Sequence, residues 1–423
     1  MAERKRPVAK PLQPPVRRAT PASVPPAVRP SRWRAGYRAT PWWARVVVIW
    51  AASRVVTTTL VLLLANVQGA NAWTAASPGY AAFANMWDAR WYNIVAISGY
   101  PATLPVTAEG QIAENAWAFM PGFPAAVRVL MALSGQPWDV AAVFVSAAFS
   151  LGTALLFFRL MRRVLDPSAA LFSVLLFCVA PLSPVLQFGY AESMYLFWLT
   201  LALLLLLDRR YVLLFPVIAV MGLTRPSALA FALALGLHVV HRWLTRARDP
   251  FPLGERMLAA SVAGFSALVG VAWPVVAWIV TGSVTAYTGT ELAWRAPYIG
   301  YQELVPFTAW FQSGVWWLGI PLGIVVVVVL IVAFGGILFL PAVRRLGVDL
   351  RFWVASYGLY LLAVFFPQSS TFRLLMPLFP LLGAIAQPRN PWYRTGVVLL
   401  CILGQWGWLL LCWGVDGADW TPP

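Results

Sequence analysis

Apolar residues run along this chain in long blocks rather than at the alternating or single-face intervals of a soluble domain. Val46–Leu64, Leu196–Leu207 and Ile320–Leu340 carry almost no charge. A helix needs about 20 such residues to cross bilayer hydrocarbon, and helices must carry the crossings because an isolated strand would leave its backbone groups unpaired in lipid. Taken in order, the blocks predict helices near residues 46–66, 138–160, 168–187, 190–207, 211–224, 226–241, 257–281, 314–340, 352–367, 372–387 and 394–413. The fold class is therefore all-α, a polytopic membrane protein with about eleven spans. The pairs 211–224/226–241 and 352–367/372–387 are short for full crossings, and each turns at an arginine, in GLTRPS and SSTFRLLMP. Both pairs are expected to be shallow or kinked.

Charge orders the polar segments between these blocks. The first 45 residues are Pro-rich, without hydrophobic periodicity, and hold 11 Lys/Arg against Glu3 alone. They read as a disordered basic tail on the cytoplasmic side, able to touch anionic lipid; the apolar run that follows begins too late and is too long for a signal peptide. With that end inside, arginines crowd the inner loops, while the outer segments keep Arg90, Arg128, Arg225, Arg295 and Arg373. Nine acids fall outside, among them Asp88, Glu114, Glu192 and Glu291. The transmembrane domain spans 46–413, with long outer loops at about 67–137 and 282–313 and a short outer C-terminal tail at 414–423. Function concentrates in loops held on a rigid scaffold, so chemistry is expected on the outer face of the cell membrane.

Composition agrees: the chain is 60% hydrophobic and 11% charged, with a mean hydropathy of +0.73. The net charge of +16 is carried almost wholly by arginine, since Lys5 and Lys10 are the only lysines. In a membrane chain this balance reports inner loops, not nucleic-acid binding. Cys178, Cys401 and Cys412 all fall within apolar spans and imply no disulfide framework. His238 and His241 share a helix face beside Arg242 but lack a carboxylate in sequence, so no metal site is expected there. Neither a phosphate-cradling glycine loop nor a nucleophile elbow is present, and no cofactor is expected.

Two stretches of the first outer loop are neither spans nor ordinary loop. In MWDARWYNIVAISGYP, Met86 to Pro101, Asp88 is placed to cap a helix from Ala89 to about Ser98, with Trp91, Ile94 and Val95 on one face and Gly99 and Pro101 ending it. Trp87, Trp91 and Tyr92 suit the headgroup zone, which makes this an interfacial helix. ENAWAFMPGFP, Glu114 to Pro124, repeats an acid, aromatics and a Pro-Gly turn ahead of a second apolar segment reaching about Leu133.

Together these stretches resemble the glycosylphosphatidylinositol mannosyltransferase 2 family (PIG-V type) and its bacterial relatives, in the GT-C class of membrane glycosyltransferases. FGYAESMYLFWL, Phe188 to Leu199, continues the likeness, with Ala191 where the family often has Ser; GLTRPSALAF and FRLLMPLFPLL follow it more loosely. The resemblance implies a GT-C-like fold and transfer of mannose, with inversion, from a polyprenyl-phosphate carrier to an acceptor on the non-cytoplasmic side. It also implies an essential acid in the first outer loop, and Asp88 matches that position.

The residues assign themselves roles in such chemistry. Asp88 is the expected general base. Arg225 and Arg373, at outer helix ends, are expected to hold the donor phosphate. Glu114, Glu192, Arg90, Trp87, Tyr92 and Tyr190 are expected around the sugar or acceptor. The partners are a lipid-linked sugar, a glycolipid, glycan or protein acceptor, and membrane lipid. The same residues would serve another lipid-linked sugar equally well. A solute or lipid transporter would instead place ionisable groups at the middle of several spans. Glu291 and Arg295 fit one helical turn apart and are expected to form a structural ion pair; Arg54 is expected to pack against a neighbouring helix or to snorkel inward.

Overall fold

The computed structural model describes residues 40–414 and Pro422. The expected C-terminal tail past residue 414, and residues 1–39 of the expected N-terminal tail, lie outside the described residues apart from Pro422. The first helix, α1, starts at Trp42, four residues before the predicted boundary, and runs to Val67. Among the described residues there are helices and turns, with one isolated bridge between Val106 and Ile112 and no strand.

In chain order the longer helices are α2 Asp88–Ser98, α3 Gly122–Ser134, α4 Trp138–Met161, α5 Pro167–Val179, α6 Glu192–Leu207, α7 Tyr211–Gly222, α8 Ala228–Leu244, α9 Leu253–Thr281, α10 Ala286–Ala293, α11 Ala309–Leu318, α12 Leu322–Ile337, α13 Val348–Val364 and α14 Pro391–Cys412. Four of them, α1, α4, α9 and α14, are long and apolar enough to cross a membrane. The large outward-facing apolar side chains of α9 and α12, including Leu268, Ile279, Val329 and Val332, are exposed. A surface of that kind belongs in lipid rather than water.

Three predicted spans are broken by their own prolines. The stretch 168–187 is helical only to Val179, because Pro181 cannot continue α5; a single 3₁₀ turn, Ser183–Gln187, follows. Arg54 of α1 fills that break. It donates to the carbonyls of Cys178 (2.6 Å) and Ser183 (2.9 Å) and to Gln187 Oε1 (3.0 Å), so a buried cation sits on the carbonyl end of α5. The stretch 314–340 separates into α11 and α12 at Gly319–Pro321. The stretch 372–387 divides into Thr371–Leu374, the 3₁₀ segment Met376–Leu381 around Pro377 and Pro380, and Leu382–Ile385.

The main core forms where α8 packs on α9 and α13, α4 on α6, and α6 on α7. At the α7 start, His238 Nδ1 meets Asp349 (2.7 Å) while Nε2 meets the Tyr211 hydroxyl (2.9 Å), and Arg242 bonds Tyr211 and Glu255. A carboxylate therefore does accompany His238, brought by α13 from a position 111 residues away. With both ring nitrogens engaged by protein, the histidine is a cross-link between helices.

A tight crossing positions the site. Gly189 donates its N–H to the Ala84 carbonyl (3.1 Å), and a Cβ there would stand 2.1 Å from Asn85 Oδ1 and 3.3 Å from Ala142. Asn85 is itself fixed, its amide donating to Ala81 and Asp139 carbonyls (2.8 and 3.0 Å). Gly189→Ala is therefore expected to destabilise the protein by about 1–3 kcal/mol, the usual range for overpacking. Thermal unfolding in detergent measures it; an unchanged midpoint would show that Asn85 gives way freely.

Candidate functional site

The segment before α2 carries a strained residue. Trp87 has φ 58° and ψ −125°, a region that bulky side chains avoid. Such strain costs roughly 1–3 kcal/mol and persists only where surroundings hold it. Here the indole Nε1 donates to the Cys412 carbonyl (2.9 Å) and the ring meets Trp73 edge-on. The consequence is that Asp88 becomes the first residue of α2 instead of its cap. Its side chain, at the first helical position, turns away from the helix.

It turns to Arg373, on the short helix Thr371–Leu374. Arg373 Nη1 donates to Asp88 Oδ2 and to Glu192 Oε1, the latter at 3.1 Å, and Arg225 Nη2 donates to the same Glu192 oxygen. Two acids and two arginines from four separate segments thus form one chain: Asp88, Arg373, Glu192, Arg225. Glu192 and Arg373 are buried, while Asp88 and Arg225 are partly open. Glu192 Oε2 and Arg373 Nε are buried without a hydrogen-bond partner. Glu192 opens α6, so the positive end of that helix adds to the two cations around its carboxylate.

Tyr190 supports this chain from below. Its hydroxyl accepts from the Asp88 backbone N–H (3.3 Å) and donates to the Met86 carbonyl (3.4 Å), and its ring lies 5.2 Å beneath the Arg373 guanidinium. The ring is completely buried. Tyr190 therefore positions Asp88 and Arg373 and presents no surface to a ligand, contrary to its expected place beside substrate.

The other expected site residues separate into packed and peripheral ones. Trp87 is buried against α14, and Tyr92 is buried with its ring edge-on to Phe119 and Phe123. The buried face of α2 is Ala89, Tyr92, Val95 and Ala96, with Ile94 exposed and Trp91 partly buried, so the face expected from spacing is rotated. Gly99, at φ 73°, ends α2 as expected. Arg90 is exposed and stacks over Trp73 at 4.8 Å, away from the ionic chain. Glu114 makes no ion pair among the described residues, although its neighbour Asn115 bonds Thr290 of α10 (2.8 Å). A groove of about 680 Å³ between α3 and α4, walled by Ala126, Leu130, Phe144 and Phe149, is apolar and contains none of the charged residues.

Spacing misjudged Glu291. Arg295 lies beyond the end of α10 at Ala293 and, although each side chain feels the other's charge, the two form no ion pair among the described residues. The Glu291 carboxyl feels the Tyr287 hydroxyl on its own helix and the charges of Arg225 and Asp88. The side chain is exposed. Among the described residues no three His, Cys, Asp or Glu side chains gather as metal ligands.

The fold and site together define an all-α, polytopic membrane protein with a charge-balanced ionic chain where its first long loop meets the helix ends. No protein-family model and no curated protein matches the chain. Two solved structures align with it in part. The first is ArnT from Cupriavidus metallidurans bound to undecaprenyl phosphate, at 16% identity and TM-score 0.47, covering 84% of this chain and 62% of that one. The second is the Archaeoglobus fulgidus oligosaccharyltransferase tethered with an acceptor peptide containing the NVT sequon, at 12% identity and TM-score 0.38, covering 85% of this chain and 53% of that one. The chain spans less than two thirds of the length of either.

Proposed function

We propose that this protein is a membrane glycosyltransferase of the GT-C kind, moving a sugar, mannose in the first instance, from a polyprenyl-phosphate carrier to a hydroxyl acceptor on the outer face of the cell membrane with inversion. The observation that carries the proposal is the chain Asp88–Arg373–Glu192–Arg225. It holds what such a transfer needs: a carboxylate to accept a proton and cations to receive a departing phosphate.

In this reading the acceptor oxygen bonds to the anomeric carbon as its proton passes to Asp88. The bond from that carbon to the phosphate oxygen breaks, and its electron pair stays on the phosphate. A guanidinium has five N–H donors, and Arg225 spends one on Glu192. Its remaining donors would meet the phosphate, with bonds that strengthen as negative charge accumulates there. Glu192 keeps the two cations together in the absence of donor. The residue pattern does not depend on which sugar the lipid carries.

The test is purified protein in lipid vesicles given labelled polyprenyl-phosphate mannose and, separately, phosphatidylinositol, a mannan oligosaccharide and a Ser/Thr peptide as acceptors. Label is expected in one product with inverted anomeric configuration. No transfer from mannose or glucose carriers, with labelled lipid crossing the bilayer instead, would favour transport and reject the enzyme. Arg225→Lys is expected to raise the donor KM about tenfold, the loss of one charged hydrogen bond of about 1.5 kcal/mol. An unchanged donor KM would remove Arg225 from phosphate binding.

A further inference from the structure

The segment that carries Arg373 is held from outside the ionic chain. Helix α13 stops at Val364, ahead of Pro367. The Ala363 carbonyl would bond position 367 in a continuing helix, but proline has no N–H to give. The Phe307 N–H donates to that carbonyl instead (3.0 Å), and the Trp310 indole adds a donor to the Leu361 carbonyl (2.9 Å). Past the helix end, the Ser313 hydroxyl donates to the Pro367 carbonyl, which also receives the Trp317 indole at 3.4 Å. All four donors lie where the second long loop passes into α11. That helix is itself anchored: a Cβ on Gly314 would stand 2.7 Å from the Gly323 carbonyl oxygen, and one on Gly323 would stand 2.2 Å from that of Gly314, so α11 and α12 meet backbone to backbone. Between Pro367 and Arg373 the chain is bonded turn by turn. Thr371 donates its N–H and hydroxyl to the Gln368 carbonyl (2.9 and 2.6 Å), and the Leu374 N–H bonds the Ser370 carbonyl (3.1 Å). Arg373 then donates to Asp88 and Glu192.

We propose that Ser313 is a positioning residue of this site: through the Pro367 carbonyl it fixes the segment that aims Arg373 at Asp88. The inference rests on the transfer reading above, in which Asp88 takes the proton and Arg225 meets the donor phosphate. Ser313 is buried, at 1% exposure, and Pro367 has only its carbonyl to offer a backbone hydrogen bond. Without the Ser313 hydroxyl that carbonyl keeps only the Trp317 indole, which is longer in reach and belongs to an exposed side chain. The Arg373 segment then loosens, and the Asp88 carboxylate loses a fixed partner. Arg225 is held by Glu192 on α6, a contact that does not pass through Pro367. The loss therefore falls on the proton-transfer step and spares donor binding.

The experiment compares the full-length parent, Ser313→Ala and Ser173→Ala in lipid vesicles, with polyprenyl-phosphate mannose as donor and phosphatidylinositol, a mannan oligosaccharide or a Ser/Thr peptide as acceptor. Ser173 is a fully buried serine of α5 whose hydroxyl bonds the Ala169 carbonyl (2.8 Å), so its loss reports what any missing buried hydroxyl does. Ser313→Ala is expected to lower kcat about tenfold, inside the roughly 10²-fold that a 1 Å misplacement can cost, with donor KM within about twofold of the parent. Ser173→Ala is expected to leave both within about twofold. An unchanged kcat in Ser313→Ala, equal losses in the two variants, or an effect confined to donor KM would overturn the proposal. Hydrogen exchange over residues 368–376, with α4 as the reference for an intact fold, separates this result from failure of the transfer reading. Exchange there is expected to be about tenfold faster in Ser313→Ala and unchanged in Ser173→Ala, the weight of one hydrogen bond. That increase supports the positioning of the Arg373 segment even if the parent transfers no sugar, a result that would reject the transfer reading alone. Unchanged exchange over 368–376 overturns the proposal whatever the parent's activity.

Discussion

Asp88→Asn is expected to lower sugar transfer by about 10²–10⁴-fold, the usual contribution of a positioned general base, while the protein stays folded. The separation of the two effects comes from the geometry. Asparagine keeps an oxygen where Arg373 donates, and Arg373 still has Glu192 at 3.1 Å. What disappears is the capacity to take a proton. The backbone around Asp88 is set by the bonds of Trp87 to Cys412 and of Tyr190 to the Asp88 N–H and the Met86 carbonyl. Asp88→Glu is the sharper control: it restores the base but lengthens the side chain by one methylene, and a displacement near 1 Å can cost about 10²-fold in a positioned reaction. Initial rates at saturating donor and acceptor, with unfolding midpoints in the same detergent, check both. Equal rates for parent and Asp88→Asn would exclude proton transfer to this residue, and the ionic chain would then be a structural cross-link.

The long helices were legible because lipid imposes a simple requirement on them. The cores of α1, α4, α9 and α14 are apolar blocks of sufficient length, and any ordering of side chains within a block gives the same prediction. The breaks were harder to read. Pro181, Pro321, Pro377 and Pro380 all sit in uniformly apolar sequence, where hydropathy continues across a position at which the backbone cannot. The site was half legible. Asp88, Glu192, Arg225 and Arg373 stand out in sequence as charges at the ends of apolar blocks, but a separation of 285 positions between Asp88 and Arg373 hides their pairing. Both arginines have the sequence setting of phosphate ligands, whereas they first face carboxylates. Tyr190 was placed beside substrate on the strength of its neighbours, and burial makes it a support instead. Glu291 and Arg295 have the spacing of an ion pair, but they form none among the described residues, and α10 ends between them at Ala293. Likewise, nothing near His238 announces Asp349.

Glu192→Ala is expected to destabilise the protein by about 3–5 kcal/mol, more than any single substitution at Asp88. Breaking a buried ion pair by deleting one partner leaves the other charge uncompensated, and here one carboxylate serves two guanidiniums. After the change, Arg373 keeps Asp88, but Arg225 has lost its ion-pair partner while remaining among buried side chains. The expectation has a built-in check. Removing Arg225 as well, in Glu192→Ala/Arg225→Ala, takes away the stranded charge and leaves the Asp88–Arg373 pair intact, so the double variant should be more stable than Glu192→Ala alone. The coupling between the two positions is expected at about 1–3 kcal/mol, as for contacting residues in one network. Reversible unfolding in mixed micelles of the parent, both single variants and the double variant gives all four corners of the cycle. Additive losses would mean that the two side chains do not depend on one another and that Glu192 holds Arg373 alone. Strong coupling with no rescue of transfer would place the ionic chain in both roles: holding four distant segments together at rest, and giving up one of its arginine contacts when a phosphate arrives.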